Sequence, residues 1–423
     1  MNISEYDIIV IGAGPAGMIA AGVAGERSSR VLLLERNKEA GKKLKITGNQ
    51  RVNITNIKEI DEFIQIFGKN GRFLHNVFAQ FFNQDLIEFF RGLGILFYLE
   101  NNGQVFPKSN KAESIVLAML GYLHKNKIEI FYDCHVLKIT KNRKIFEVVT
   151  SRKKFYSKKI ILATGGCSYP QTGSTGDGYK IAKSFGHRIV SLRPALVPLE
   201  SKDAFIKELQ GLSLKGLPLR VLLNDKVKIE QRGDLLFTHF GVSGPVILNI
   251  SREVIDLLTK GEVIISIDLT PQFSAEMLEK KLLKKINSTN LFYKNLLKEF
   301  LPPKLIPVFI KKSNIPAGKR INQITVEERR KIKSMLAGFR IKISQPRPLA
   351  EAMVTSGGVE VAEIYPKTME SRLVKGLYFA GEIIDIDGNC GGYNLQAAFS
   401  TGYVAGKEAA ERLSTYSHSV TKS

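Results

Sequence analysis

Three glycines and one glutamate near the N-terminus have the types and spacing of a dinucleotide-binding site. Gly12, Gly14 and Gly17 fill the glycine positions of a G-x-G-x-x-G pattern, which permits a tight turn and close approach of the backbone to a pyrophosphate. The amides that open the following helix can hold the phosphates. Glu35 stands about 20 residues farther on, where a carboxylate accepts hydrogen bonds from an adenosine ribose and disfavours the 2′-phosphate of NADP.

The surrounding sequence predicts the strand, helix and second strand that such a site requires. Residues 7–11 form an apolar run typical of a buried parallel strand, and the second strand ends at Glu35. Residues 8–25 are uncharged, and about 18 apolar residues can span a bilayer. Several glycines and Pro15 interrupt this run, and no basic residues precede it. We therefore expect neither a signal peptide nor a transmembrane segment.

Three further glycine-bearing turns suit the same long ligand. They cover residues 41–53, 163–166 and 381–394, and the last two directly follow apolar runs that predict buried strands. Ligands of open α/β sheets lie outside the carboxyl ends of such strands. NAD would need mainly the first turn, whereas a flavin dinucleotide also needs a late turn for its ribityl chain and isoalloxazine ring. The four turns together favour FAD.

The rest of the chain predicts a nucleotide-binding fold that is interrupted by an insertion. Short strands after the first β-α-β unit indicate an added group of antiparallel strands. From about residue 192, alternating apolar and polar segments separated by prolines indicate a small β domain. Basic amphipathic helices follow, with Leu278, Leu282, Leu283 and Ile286 on one face. The predicted strands are 97–99, 128–131, 134–140, 145–150, 153–156, 159–163, 217–223, 227–231, 263–269 and 376–382, the last of which ends in a glycine and a carboxylate.

We therefore predict an α/β protein with a Rossmann-like domain and an inserted domain. The Rossmann-like domain covers residues 1–191 and 346–423. The inserted domain covers residues 192–345, with a β-rich, barrel-like part at 192–270 and a basic helical subdomain at 271–338.

The charge is concentrated in the predicted insertion. The 423 residues carry a formal charge of +22, and residues 271–345 contain 17 Lys and Arg against five Asp and Glu. Such a basic face can meet RNA, an anionic membrane or an acidic substrate. A solvated basic helix that needs no partner is the favoured interpretation, and nucleic-acid binding through 271–345 is the alternative.

The three cysteines predict a reducing compartment and no metal site. Cys134, Cys167 and Cys390 form neither a zinc pattern nor a C-x-x-C pair, and the six histidines are scattered. We therefore expect a cytoplasmic protein without a bound metal and without a redox disulfide.

Five segments resemble one known family. GAGPAG begins at Gly12, GKKLKITGNQRVNITN at Gly41, ATGGCSYPQTGSTGDGY at Ala163, LFTHFGVSGP at Leu236, and a long final block at Val354. They resemble the bacterial two-dinucleotide-domain flavoproteins whose members include aminoacetone oxidase and a bile-acid dehydro-steroid reductase. The resemblance implies an FAD domain of glutathione-reductase-like topology. One segment departs from the family, which usually has Gly-Gly-Gly-Arg-Cys-Asn where this chain has Gly48-Asn49-Gln50-Arg51-Val52-Asn53.

The resemblance also implies which residues line the cofactor. One group binds the pyrophosphate and brackets the adenosine, a second lines the next section and passes beneath the cofactor, and a third meets the ribityl chain, the flavin-side phosphate and the flavin ring. The first group is Gly12, Gly14, Pro15, Ala16, Gly17, Glu35, Arg36 and Val136. The second is Lys42, Thr47, Gly48, Arg51, Asn53, Ala163, Thr164 and Gly165. The third is Gly381, Glu382, Asp385, Asp387, Gly392, Tyr393, Asn394 and Leu395.

Catalytic residues are harder to predict, because hydride transfer to a flavin depends on positioning more than on acids or bases. Tyr169 and Tyr393 are candidates for a proton or hydrogen-bond donor near the ring, and His239 is a candidate for a substrate contact. Packing roles explain all three residues equally well or better.

The predicted function is that of an FAD-dependent oxidoreductase acting on a small organic substrate by hydride transfer. Two mechanisms are compatible with these residues: an oxidase that passes the hydride to oxygen, and a reductase that takes it from transiently docked NAD(P)H. The second glycine fingerprint of a dedicated NAD(P)H domain is missing. The alternative is a flavoprotein that binds or modifies RNA through its basic insertion.

Overall fold

The computed structural model describes residues 5–27, 29–48, 50–100 and 102–417. The chain forms two compact units, Met1–Ala195 with Leu349–Ser423, and Leu196–Pro348. The sequence placed the two divisions after residues 191 and 345. The ends of the predicted first domain, 1–4 and 418–423, lie outside the described residues, as does Asn49 of the predicted 41–53 turn.

Nineteen strands are present in the described part of the chain. In chain order they are β1 (Glu5–Ile11), β2 (Val31–Leu34), β3 (Thr55–Asn56), β4 (Phe97–Leu99), β5 (Gln104–Pro107), β6 (Glu129–Phe131), β7 (Val136–Asn142), β8 (Ile145–Thr150), β9 (Lys154–Leu162), β10 (Ile189–Ala195), β11 (Leu199–Glu200), β12 (Ser213–Leu223), β13 (Lys226–Phe237), β14 (Gly241–Ser243), β15 (Val263–Ile267), β16 (Phe339–Ile343), β17 (Gln345–Pro346), β18 (Val354–Val359) and β19 (Leu377–Phe379).

Fourteen α-helices connect these strands within the same described residues. They are α1 (Pro15–Gly25), α2 (Lys42–Ile46), α3 (Ile60–Ile66), α4 (Gly71–Phe78), α5 (Asn83–Gly92), α6 (Ala112–Lys125), α7 (Asp177–Ser184), α8 (Ile206–Leu209), α9 (Pro245–Leu258), α10 (Ala275–Ser288), α11 (Tyr293–Leu297), α12 (Ile306–Ser313), α13 (Val326–Ala337) and α14 (Tyr393–Ser417).

The main sheet of the first unit brings five parallel strands to one edge. β6, β2, β1 and β9 follow one another, and β19 lies beside the second half of β9. Ile8, Ile9 and Val10 of β1 are fully buried, as expected for a parallel strand that is covered on both faces. The Rossmann-type parallel sheet predicted from the sequence is therefore present.

Strand β9 is longer than the sequence predicted. We expected separate strands at 153–156 and 159–163, but Lys154–Leu162 is continuous. The first half pairs antiparallel with β8 as far as Ser157, and the second half pairs parallel with β19 from Ile160. The strand exchanges β8 for β19 as its neighbour midway. The alternation of buried and exposed side chains therefore ends there, although the backbone continues as one strand.

Two helices of the first unit pack very closely against each other. Gly402 and Gly406 of α14 face α1, and a Cβ on either would lie 2.3 Å from a backbone carbonyl oxygen, that of Ala16 or Ala20. The absence of side chains at these two positions lets α14 approach the helix that follows the first glycine turn.

The second unit contains a seven-stranded antiparallel sheet. Its order is β16-β15-β12-β13-β14-β11-β17. β16 and β17 stand at opposite ends of this order, yet only Ser344 separates them in the chain, so the sheet curls back on itself. Both strands come from beyond the 192–270 range that we predicted as β-rich.

The basic region forms four helices, α10 to α13. Leu278, Leu282 and Ile286 of α10 are buried and Leu283 is half-buried, on the face that the spacing predicted. Helix α9 and strand β18 were not predicted. α9 follows Gly244 and has Pro245 at its first turn, a signal that sequence reasoning had available. β18 is fully buried and pairs antiparallel with β10 of the first unit.

None of the helices in the described ranges combines the length and the hydropathy needed to cross a bilayer.

Candidate dinucleotide-binding site

Three of the predicted turns leave the same edge of the parallel sheet. Gly12 follows β1, Ala163 follows β9, and Gly381 follows β19 after one intervening residue. These strands are neighbours and run in the same direction, so their carboxyl ends lie side by side. Ligands of open parallel sheets bind in the crevice outside such strand ends.

The first turn has the shape and the free amides needed for a pyrophosphate. Gly12 has a φ of 102°, and a Cβ there would lie 2.5 Å from the Ala163 carbonyl oxygen, while a Cβ on Gly17 would lie 1.8 Å from the Gly12 oxygen. A Cβ on Gly14 would meet nothing within 4 Å. α1 begins at Pro15 with no side-chain cap and no acidic residue in its first turn. Its first amides are thus available to an anion.

Glu35 supports this turn directly. Its Oε2 accepts a hydrogen bond of 2.8 Å from the Ala13 amide, and its Oε1 accepts bonds from the backbone and side chain of Asn37. The residue is buried. The carboxylate therefore holds the turn in place, and its predicted contact with an adenosine ribose stays a prediction.

Arg36 lies just after the end of β2, and Val136 is the first residue of β7. Arg36 Nη1 donates to Asp177 Oδ2 at 2.9 Å, and His135 Nε2 lies 3.0 Å from the same oxygen. Val136 is buried and pairs with Thr150. The predicted adenosine neighbours thus stand beside a cluster of charged side chains at the start of α7.

Lys42, Thr47 and Gly48 lie on or beside α2. Lys42 begins the helix and is half-buried, and the Thr47 hydroxyl donates to the Lys43 carbonyl oxygen at 3.0 Å. Gly48 is exposed with a φ of 59°. Val52, at the family's cysteine position, has a φ of 52°, which is a strained conformation for a β-branched residue.

Arg51 and Asn53 both have partners within the chain. Arg51 Nη1 donates to Glu100 Oε1 at 2.9 Å, and its guanidinium lies 4.6 Å from the centre of the Phe106 ring. Asn53 Oδ1 accepts a bond of 3.1 Å from the Val105 amide. A contact between Arg51 and a diphosphate stays a prediction, and it would have to compete with Glu100.

The turn after β9 is tightly packed. The Ala163 amide donates to the Ile11 carbonyl oxygen at 2.9 Å, which joins this turn to β1. Gly165 has a φ of 72°. The Thr164 hydroxyl is buried and has no hydrogen-bond partner in the described structure, and a Cβ on Gly178 would lie 1.9 Å from it. Thr164 therefore points toward the first turn of α7.

The late turn contains two buried acids. Gly381 has a φ of 76°, and its amide donates to the Thr401 hydroxyl at 2.9 Å. Asp385 is buried, and its Oδ2 accepts a bond of 2.8 Å from Asn70 Nδ2. Asp387 is buried as well. Both carboxylates lie in the segment that was predicted to meet the ribityl chain.

The last helix begins where the sequence predicted. α14 starts at Tyr393, and Leu395 in its first turn is half-buried. Gly392 has a φ of 93°, and a Cβ there would lie 2.5 Å from backbone atoms of Thr55. Asn394 exchanges two hydrogen bonds of 2.8 Å with the backbone of Gly388. The Asn394 side chain therefore fixes the preceding turn, while the helix amides remain available to a ligand.

The three candidate catalytic residues are distributed over both units. Tyr169 is half-buried in the first unit with a φ of 50°, and its amide donates to the Ala350 carbonyl oxygen. Tyr393 is in the same unit, with its ring 4.8 Å from that of Phe63. Burial raises the pKa of Tyr393, and Lys58 opposes this shift. His239 is exposed in the second unit.

All three cysteines are free thiols. Burial raises the pKa of Cys390 to about 11 and, with help from the charge of Glu382, raises the pKa of Cys167. Raised pKa values keep both thiols protonated near neutral pH and make them poor nucleophiles.

Sequence reasoning missed the partners of Glu382. Lys43 forms an ion pair with Glu382, while Ser168 and Thr355 donate hydrogen bonds to the same carboxylate. The sequence predicted Lys42 and not Lys43, because two adjacent lysines at the start of a helix differ only in the direction in which they point.

Comparisons with known proteins agree with this architecture. The model of the HI0933-like protein Rossmann domain family matches residues 6–408. The chain is 33% identical over 408 residues to the 3-dehydro-bile acid delta(4,6)-reductase of Clostridium scindens, covering 95% of this chain and 98% of that protein. It is 32% identical over 404 residues to the ribosomal RNA dihydrouridine synthase of Escherichia coli, covering 96% and 98%.

A solved structure shows the same fold at low sequence identity. The open conformation of a flavocytochrome c3 fumarate reductase superimposes with a TM-score of 0.52 at 16% identity, covering 97% of this chain and 79% of that chain. Together these matches confirm the family resemblance and the fold class that the sequence predicted.

Proposed function

Because this chain belongs to the family of HI0933-like proteins with a Rossmann domain, we propose that it is an FAD-dependent reductase. The observation that carries the FAD assignment is the alignment of three glycine-bearing turns at the carboxyl ends of β1, β9 and β19. A chain that bound only a nicotinamide dinucleotide would need mainly the first of them. When bound, FAD supplies the hydride-transfer chemistry.

The protein's own residues would hold and orient the cofactor. The open position at Gly14 and the uncapped start of α1 suit a pyrophosphate. The start of α14 offers amides and the positive end of a helix dipole to the part of a flavin where negative charge develops. The buried acids Asp385 and Asp387 suit ribityl hydroxyls.

The reaction we propose is addition of a hydride and a proton to a carbon–carbon double bond that is conjugated to a carbonyl group. Both relatives above carry names that describe such a change, one in a 3-dehydro bile acid and one in a uridine of ribosomal RNA. NAD(P)H is the proposed source of the hydride and its two electrons.

Tyr169 is the proposed source of the proton. It is half-buried and lies three residues after the turn that follows β9, whereas the pKa of Tyr393 is influenced by the charges of Lys58 and Glu62. Replacing Tyr169 by Phe should lower turnover by about 100-fold, while the flavin spectrum and its bleaching by NAD(P)H stay unchanged. Unchanged turnover would rule Tyr169 out as the proton donor.

We propose that the double bond belongs to a uridine in RNA, because the second unit presents unbalanced positive charge. Three of the five acids in residues 271–345 are paired internally: Glu279 with Arg329 and Lys333, Glu299 with Lys285, and Glu328 with Lys319. Exposed cations remain that form no ion pair in the described part of the chain. They are Lys280, Lys284, Lys294, Lys298, Arg330 and Lys331.

A small-molecule substrate is the second candidate. The bile-acid reductase has a slightly higher identity to this chain than the RNA-modifying relative. In this case a conjugated steroid-like ketone would take the place of the uridine, and the basic helices would have no role in catalysis.

One anaerobic experiment distinguishes these possibilities. Purified protein is supplied with FAD and mixed with NADH or NADPH in a stopped-flow spectrophotometer, and either ribosomal RNA transcript or a 3-keto steroid with a conjugated diene is then added. Bleaching of the flavin absorbance followed by its return only with RNA, and a two-hydrogen mass gain on uridine, would support our proposal. Return of the flavin absorbance only with the steroid would instead support a small-molecule substrate. Absence of bleaching would favour an oxidase, and absence of any flavin spectrum would contradict the FAD assignment.

A further inference from the structure

A partly buried ion pair lies where the segments around the candidate site meet. Lys43 Nζ on α2 is 2.8 Å from Glu382 Oε2, just after β19, and the two side chains are 25% and 21% exposed. A pair of this kind is screened less by solvent than an exposed one. The two residues are 339 positions apart in the chain.

The Glu382 carboxylate has no free oxygen. Its Oε1 accepts bonds of 2.8 Å from the Thr355 amide and 3.1 Å from the Ser168 hydroxyl. Ser168 Oγ in turn accepts a bond of 2.6 Å from Lys43 Nζ. A Cβ on Gly166 would lie 2.8 Å from Glu382 Oε1. The carboxylate is therefore enclosed by α2, β18 and the turn after β9, and it is an internal counterion.

These contacts change the interpretation of Glu382. The family resemblance implied a direct contact of Glu382 with the ribityl chain or the flavin-side phosphate. A carboxylate that already accepts hydrogen bonds from three donors has little capacity left for a ligand, whereas its backbone in the late turn remains able to line one.

We propose that Lys43 and Glu382 are positioning residues that set the charge experienced by the flavin, an inference that rests on the proposed FAD site. Reduction of a flavin adds negative charge to the cofactor, and fixed nearby charges favour or oppose it. With both partners present the pair is neutral overall. Removing one partner leaves a single charge, whose sign depends on which residue is removed.

Midpoint potentials of the bound flavin test this inference without any substrate. Lys43→Met leaves the Glu382 carboxylate unpaired, so we expect a more negative potential and tighter relative binding of the oxidised flavin. Glu382→Gln keeps the size of the side chain and leaves the Lys43 cation unpaired, so we expect a more positive potential. The double variant should return close to the wild-type value. Lys45→Met is the matched control, because Lys45 is on the same helix and pairs with the exposed Glu39; its potential should not change.

A purely structural role would disturb the site in the same way in both single variants. Shifts of the potential with the same sign in both variants, or no shift in either, would therefore overturn the inference. If Glu382→Gln fails to fold, Lys43→Met alone still tests the expected sign, and a positive or absent shift would refute it. Failure of the FAD assignment is separate, since the wild-type protein would then bind no flavin at all.

Discussion

At the residue scale, the glycines of the first turn have two different physical roles. A Cβ on Gly12 or Gly17 would collide with backbone atoms of the protein itself, whereas a Cβ on Gly14 would enter open space. Gly14 also has an ordinary extended conformation, with φ of −80° and ψ of −177°. The protein fold therefore requires Gly12 and Gly17, whereas nothing in the described structure requires a glycine at position 14, and we expect its role to be the close approach of a ligand.

Substitution of Gly14 by Ala separates binding from folding. The unfolding midpoint of the apoprotein should stay unchanged, while the affinity for FAD should fall by about tenfold or more, which corresponds to about 1.4 kcal/mol. Titration with FAD and thermal unfolding without it measure the two effects. Gly17→Ala is the comparison, since its Cβ would lie 1.8 Å from the Gly12 oxygen and should lower both quantities. Normal FAD affinity in the Gly14 variant would place the pyrophosphate elsewhere.

At the element scale, a buried histidine connects the segment before β19 to the rest of the first unit through hydrogen bonds. The His187 side chain is fully buried, with Nδ1 2.8 Å from Glu363 Oε2 and Nε2 2.8 Å from Ser371 Oγ. Its ring packs edge-on against Phe379 of β19. Burial lowers the pKa of His187, and the charge of Glu363 only partly opposes this.

This lowered pKa predicts a loss of stability in mild acid. Folding with a depressed histidine pKa is favoured above the unfolded value of about 6.5, and the contribution is lost as the pH falls through the folded pKa, at no more than about 1.4 kcal/mol per pH unit for one proton. His187→Gln should be less stable at neutral pH, yet lose less between about pH 7.5 and 5. Urea unfolding across this range measures the slope, with the exposed His239→Gln as the control. Parallel curves for His187→Gln and wild type would contradict the assignment.

The contact between α1 and α14 gives a second prediction at this scale. Gly402→Ala would gain helix propensity, but its Cβ would lie 2.3 Å from the Ala16 carbonyl oxygen. We expect a net loss of about 1–2 kcal/mol, since overpacking costs about 1–3 kcal/mol and Ala over Gly returns less than that. Gly121→Ala in α6 is the matched control, because nothing lies within 4 Å of its Cβ; it should stabilise by about 0.5–1 kcal/mol. Chemical unfolding gives both values, and equal signs would contradict the close packing.

Local signals explain which of these elements the sequence predicted. The unit β1-α1-β2 has its glycines, its strands and Glu35 within one short stretch, so period and spacing were sufficient. Strand β9 was divided in two because its change of neighbour, from β8 to β19, depends on residues more than 200 positions away. β18 was missed for a similar reason, since its partner β10 is distant in the chain.

The same distinction applies to the candidate site. The glycine positions were predictable because a backbone requirement selects one residue type. The partners of Lys43, Arg51 and Glu382 were not, because each ion pair joins residues that only the folded chain brings together. Sequence patterns therefore indicate where the candidate site lies, whereas only the folded structure shows which of its side chains already have partners.

At the scale of the whole molecule, the net charge of +22 is unevenly distributed. Three of the five acids in residues 271–345 are paired with cations of the same region, and six exposed cations there form no ion pair among the described residues. A solvated surface would tolerate their removal, whereas an RNA-binding surface would not.

Neutralising four of these cations therefore tests the RNA proposal. The variant Lys280→Gln, Lys284→Gln, Arg330→Gln and Lys331→Gln should bind ribosomal RNA more weakly. Its affinity should also depend less steeply on salt, because each lost phosphate contact removes about 0.7–0.9 from the log–log slope. The control carries Gln at the exposed first-unit lysines 108, 111, 125 and 127, and has the same net charge.

Filter binding at several salt concentrations measures both slopes. If the two variants weaken RNA binding equally, total charge and not this helical surface is responsible. If only the first weakens it, while the flavin is still bleached by NAD(P)H at the wild-type rate, the basic helices act in substrate binding and not in the redox step.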